Sequence, residues 1–227
     1  AKALNTSISY LFSDDEPEPQ PQTIAAHFDG DEYTEEELDE ISKFAAFVKS
    51  KRKLVHFMGH IHVYNEMEGS DNMTKYEEIL DQAHNNNVPV YENYNFSNRI
   101  KGLYCDGSIA LNQNLDTSTE KACVLAEELG HHYTATRDII DQSTVENRKQ
   151  EMHGRLVAYN KMVGLRGLID AYNHHCRNLE DTAEYLEVTP EFLQETIDCY
   201  RSKYGICTTV DNYAIIFEPN LAILKLI

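Results

Sequence analysis

The chain has 227 residues, of which 41% are hydrophobic and 26% charged, enough for one or two domains with a real core. A net charge of -18 argues against a broad nucleic-acid-binding face, which needs clustered positive charge. No apolar run approaches the roughly 20 residues that cross a bilayer, no signal peptide opens the sequence, and the five cysteines (Cys105, Cys123, Cys176, Cys199, Cys207) contain no C-x-x-C pair. Reduced thiols in a cytoplasmic protein are expected in preference to a disulfide framework.

The first dozen residues place Leu4, Ile8, Leu11 and Phe12 behind a polar cap at Thr6 or Ser7, as a short amphipathic helix does. This stretch, taken as 1–13, resembles the last turns of a phage-type helix-turn-helix repressor domain. The recognition helix of such a domain would lie upstream, so DNA contact is expected only through a missing N-terminal part. The chain opens on Ala1, as a processed or truncated product would. Residues 14–22 are an extended linker rich in proline and acid. Thr34-x-x-Glu37 is a capping box, and Leu38, Ile41, Ala45 and Val48, with Phe44 beside them, form an amphipathic helix with a basic end at Lys49 to Lys53. That helix resembles a repressor's C-terminal tail, which would serve association into a homodimer; the alternative is that it docks on the following domain. The linker and tail are taken to span 14–72, with 54–72 a connector in which His56, His60 and His62 cluster. The Glu68-Gly69-Ser70-Asp71-Asn72 stretch suits a purine-rich ribosome-binding site, so Met73 is read as an ancestral start at which a repressor gene and a downstream gene became one frame.

From Met73 onward an α+β domain is expected, mostly helical with a small β-sheet, over 73–227. A helix over 73–87 carries Tyr76, Ile79, Leu80 and Ala83 on one face. Val88 to Tyr91 reads as an edge strand because Pro89 cannot donate to a ladder. Asp106-Gly107 between two apolar runs signals a hairpin, Lys101 to Cys105 with Ser108 to Asn112. Thr117-x-x-Glu120 then caps a helix through His132, in which Glu127 and His131 lie one turn apart on one face and Glu128 sits beside them. A loop over 137–143 leads to a helix from about Val145 to Met162 and another over 165–175. A helix pair over about 178–205 follows, with Thr189 as cap, Pro190 at the first position and Gly205 as the stop. The pair has helix-turn-helix spacing, but its second helix opens acidic, so it is read as a degenerate, structural unit. Asp211-Asn212 marks a final hairpin, followed by an apolar end at 221–227.

The Glu127/Glu128/His131 arrangement has the geometry of the zinc-peptidase signature H-E-x-x-H, with Glu127 where that signature has its first His. The helix resembles the core of the ImmA/IrrE family of metallopeptidases, whose usual motif reads H-E-L-G-H. Further phrases that carry the resemblance are Tyr76 to Leu80, Ala126 to His132, Asn147 to Glu151 and Ala183 to Leu186. It implies a zincin-like fold in which Glu128 is the general base, Glu127 and His131 are metal ligands, and an edge strand beside the metal helix receives the substrate backbone. The third ligand is expected on the following helix, with His153 in register and Glu151 the next choice if the register slips. Zinc is the implied metal, held more weakly than by a two-His set, and manganese is admitted by the extra carboxylate. The implied activity is a metallo-endopeptidase that cleaves a helix-turn-helix phage repressor, carried in cis or met in trans, and so controls induction. The alternative implied by the altered first ligand is a catalytically inactive pseudo-peptidase domain that acts by binding protein.

Overall fold

The computed structural model describes residues 24–28, 33–58, 73–134 and 145–226. The expectations for residues 1–22, for His60 and His62, and for the loop over 137–143 lie outside the described residues. The architecture is α+β. A four-stranded sheet of β1 (Ile24–Phe28), β2 (Val90–Tyr94), β3 (Ile100–Cys105) and β4 (Ser108–Asn112) has the order β1-β3-β4-β2. A second sheet, the antiparallel meander β5 (Cys207–Val210), β6 (Tyr213–Ile216) and β7 (Ala222–Lys225), closes the chain.

The β3–β4 hairpin turns at Asp106 and Gly107 with φ of 46° and 80°, the left-handed pair that a two-residue turn between twisted strands demands. Both strands are buried almost throughout, because each face of the sheet is covered. Leu103, Cys105 and Ala110 point to one side, and Tyr104, Ile109 and Leu111 to the other, as the period of two requires. β2 runs parallel to β4, and Pro89 stands just outside it, its carbonyl accepting from the Ile109 amide at 2.9 Å. Asn112, itself buried, donates to the carbonyls of Ser97 and Ile100 at 2.7 and 2.6 Å and so ties the loop between β2 and β3 to the sheet.

Helix α1 (Glu35–Met58) covers the first face. Its capping box forms as expected: the Thr34 amide donates to Glu37 Oε2 at 2.8 Å, and the Glu37 amide donates to Thr34 Oγ1 at 3.2 Å. Ile41, Phe44, Ala45 and Val48 pack on Phe96, Ile100, Leu103 and Ala110, and Phe44 meets Tyr94 edge-on with ring centroids 5.1 Å apart. The helix read as a tail therefore shares a core with the sheet.

On the second face lie α2 (Lys75–Asn85) and α3 (Ser118–Thr134). The α3 start differs slightly from the expected box. The Glu120 amide donates to Thr117 Oγ1 at 3.1 Å, but the Glu120 carboxylate accepts from the Asp116 amide at 3.2 Å. Beyond α3 come α4 (Val145–Met162), α5 (Gly164–Asn173), α6 (Leu179–Tyr185) and α7 (Pro190–Tyr204). The α6–α7 pair turns on Thr189, whose hydroxyl accepts from the Phe192 amide at 3.2 Å, and buries Ala183, Val188, Leu193, Ile197 and Tyr200 in the main core. Its second helix keeps Glu191 and Glu195 exposed, in keeping with a packing unit. Strands β1 and β7 were not expected from the sequence.

Candidate metal centre

Ten consecutive residues of α3, Ala122 to His131, are buried. A helix enclosed on all sides is normally apolar throughout, yet this one carries Glu127, Glu128 and His131 at 2%, 0% and 1% exposure. Burial of that much charge is costly without a specific partner or purpose, and such clusters mark functional sites.

Glycine sets the distance to the facing helix. A Cβ on Gly130 would run into the Gly154 carbonyl oxygen, and a Cβ on Gly154 would stand 2.6 Å from His131 Nδ1. With both side chains absent, α3 and α4 come together closely enough for Glu151 Oε2 to lie 3.5 Å from His131 Nε2. Glu151 is the buried member of its turn, at 7% exposure. His153, expected as the third ligand, is exposed. The physical reason is the helix period: two residues are about 200° of rotation, so only one of the pair can face α3. The structure thus brings together Glu151 and His131, with Glu127 one turn below His131, and leaves His153 in solvent.

Glu128 lies on the sheet side. A Cβ on Gly102 of β3 would come 2.8 Å from Glu128 Oε1 and 2.5 Å from Val124 Cγ1, so that strand residue has to be glycine for the carboxylate to fit beneath it. His132 points elsewhere, its Nδ1 3.3 Å from the Tyr104 hydroxyl, and burial lowers its pKa. Burial pushes the Cys123 thiol, one turn below Glu127, up to about 12, so it stays protonated near neutral pH.

One residue of the site escaped the sequence reading. Arg155 donates from Nε to Glu151 Oε1 at 2.8 Å and reaches Glu195 Oε2 at 3.7 Å. Burial works against its charge, but the carboxylates of Glu127 and Glu151 outweigh burial and raise its pKa. The i, i+4 spacing of Glu151 and Arg155 was the available signal. Arg155 is therefore a counter-charge to the two carboxylates. Replacement by Met is expected to lower the stability of the metal-free protein by about 2 kcal/mol, less than for a fully buried pair because the side chain is 28% exposed. Urea denaturation reads this directly, and an unchanged midpoint would remove Arg155 from the site.

The spacing of the donors suits a divalent cation. Two ligands on a tetrahedral ion with bonds of about 2.1 Å stand about 3.4 Å apart, close to the 3.5 Å between His131 Nε2 and Glu151 Oε2. Among the described residues no three His, Cys, Asp or Glu side chains already surround one point. Two donors therefore have ligand spacing, and the third, Glu127, is adjacent on the same helix, within the field of Arg155. The donor chemistry fits.

A sheet with a helix on each face, and a buried acid-acid-imidazole cluster where two helices touch, define a metallopeptidase-like domain. The family model of the IrrE N-terminal-like domain (Peptidase_M78) matches residues 73–198, more than half of the chain, and the protein belongs to that family. No curated protein and no solved structure gives a significant match. Among the described residues no helix is long and apolar enough to cross a membrane.

Proposed function

We propose that the protein is a metal-dependent endopeptidase of a phage or integrative element that cleaves a helix-turn-helix repressor. The observation that carries this reading is the 3.5 Å approach of His131 to Glu151 at the glycine contact of α3 and α4, with Glu127 one turn away on α3 and all three more than nine-tenths buried. Those three would hold zinc, with manganese as the harder alternative suited to a two-carboxylate set. When bound, such an ion polarises the scissile carbonyl and makes a water acidic enough to attack near neutral pH. Glu128 takes the proton of the attacking water on its carboxylate and returns it to the leaving nitrogen. The sheet beside it orients the substrate backbone through main-chain hydrogen bonds. Arg155 holds Glu151 by its hydrogen bond and reaches Glu195, and its charge favours the ionised form of the carboxylates that would hold the ion.

A second reading rests on that same guanidinium. Arg155 already supplies the positive charge that the two carboxylates need, as a pseudo-peptidase that only binds a repressor would require. The test is metal analysis of the purified protein, followed by incubation with a phage-type repressor and mass spectrometry of the products. About one ion per chain and a discrete cut support the enzyme. A stable complex with intact repressor and no metal would establish the binding protein instead.

A further inference from the structure

β1 lies upstream of the residues that the family model matches, yet it forms one edge of the sheet that those residues otherwise make. It pairs antiparallel with β3 in the register Ile24 with Cys105, Ala25 with Tyr104, Ala26 with Leu103, and His27 with Gly102. Gly102 is the residue whose missing side chain makes room for Glu128. The β1 backbone therefore passes opposite the point where Glu128 meets the sheet, and it also contacts α3. Take β1 away and β3 becomes an edge strand, with a row of main-chain donors and acceptors beside a buried carboxylate. An extended peptide adds to such an edge, and β1 is an extended peptide already in place.

We propose that residues 24–28 are a resident ligand of the peptide-binding edge, so that the site takes extended segments of the Ile-Ala-Ala-His-Phe kind by main-chain pairing, and that a peptide in trans binds only when this strand leaves. Short covalent attachment strengthens the occupancy. Residues 29–34 alone join β1 to α1, and a tether of that length gives an effective concentration on the order of millimolar. A free peptide at micromolar concentration does not compete with it. The inference names the substrate class of the proposed function and rests on it only in taking the β3 edge beside Glu128 as the cleft. Peptide binding is read without metal or cleavage, so its failure is separable from failure of the peptidase reading.

The test is made on the full chain. In an antiparallel pair alternate residues exchange main-chain hydrogen bonds, so the double variant Ala25→Pro, Ala26→Pro removes at least one inward amide whichever residue bears it. Binding of a fluorescein-labelled peptide, Thr-Ile-Ala-Ala-His-Phe-Asp, is followed by anisotropy. The variant is expected to bind at least 10-fold more tightly than the wild type. Equal affinity, or no binding by either, overturns the proposal. Should the variant fold poorly, hydrogen exchange on the wild type decides. Saturating peptide should speed exchange of amides in 24–28 while those of 100–105 keep their protection. Unchanged protection of 24–28 overturns the proposal.

Discussion

Glu128→Gln should slow repressor cleavage by about 10²- to 10⁴-fold while leaving the fold and the metal content intact. The substitution preserves shape, so the carboxamide still fits in the space that Gly102 leaves. It removes only the capacity to accept and return a proton. Stability should not fall, because the carboxamide keeps the shape of the fully buried carboxyl group and carries no charge to desolvate. Rates of repressor cleavage at equal metal loading give the result, with urea denaturation as the control on folding. Cleavage within 10-fold of the wild type would mean that another group moves the proton.

Gly130→Ala is expected to cost about 3 kcal/mol or more, at the upper end for overpacking. Its new methyl would collide with the Gly154 carbonyl oxygen and stand 3.0 Å from the carbonyl carbon. A backbone carbonyl inside a helix cannot rotate away, so α3 and α4 must separate. The same separation breaks the 3.5 Å approach of Glu151 to His131, so metal affinity should fall together with stability. Gly167→Ala is the contrast. Its Cβ would lie 3.1 Å from the end of the flexible Leu186 side chain. Ala gains about 1 kcal/mol of helix propensity over Gly, so little net change is expected there. Denaturant midpoints of the two variants, measured side by side, test the argument. Equal shifts would refute it.

The parts of the fold set by local chemistry were legible in the sequence. Thr34 with Glu37, Thr189 with Pro190, and Asp106-Gly107 each specify a cap or a turn from adjacent residues, and each forms where expected. Glu127, Glu128 and His131 could be placed on one helix by spacing alone. The third donor could not, because the α3–α4 contact is made by glycines, which add nothing to a hydrophobic period. With no stripe to fix the rotation of α4, the register favoured His153 over Glu151, whereas the structure buries Glu151 against α3 and leaves His153 exposed. β1 was invisible for a different reason. Its five residues include two alanines, which favour strands little, and its partner is more than seventy positions away. Only the open edge of β3 calls it into being.

The aromatic seat of α1 ties the residues before Met73 to the sheet. A polypeptide opening at Met73 would present Phe96, Ile100, Leu103 and Ala110 to water, a contiguous greasy surface that invites aggregation unless something roofs it. Phe44 and its neighbours cover that surface, so α1 is part of the folded domain. Any shortening that spared the acid-imidazole cluster but removed the roof would cost the protein its solubility before its chemistry.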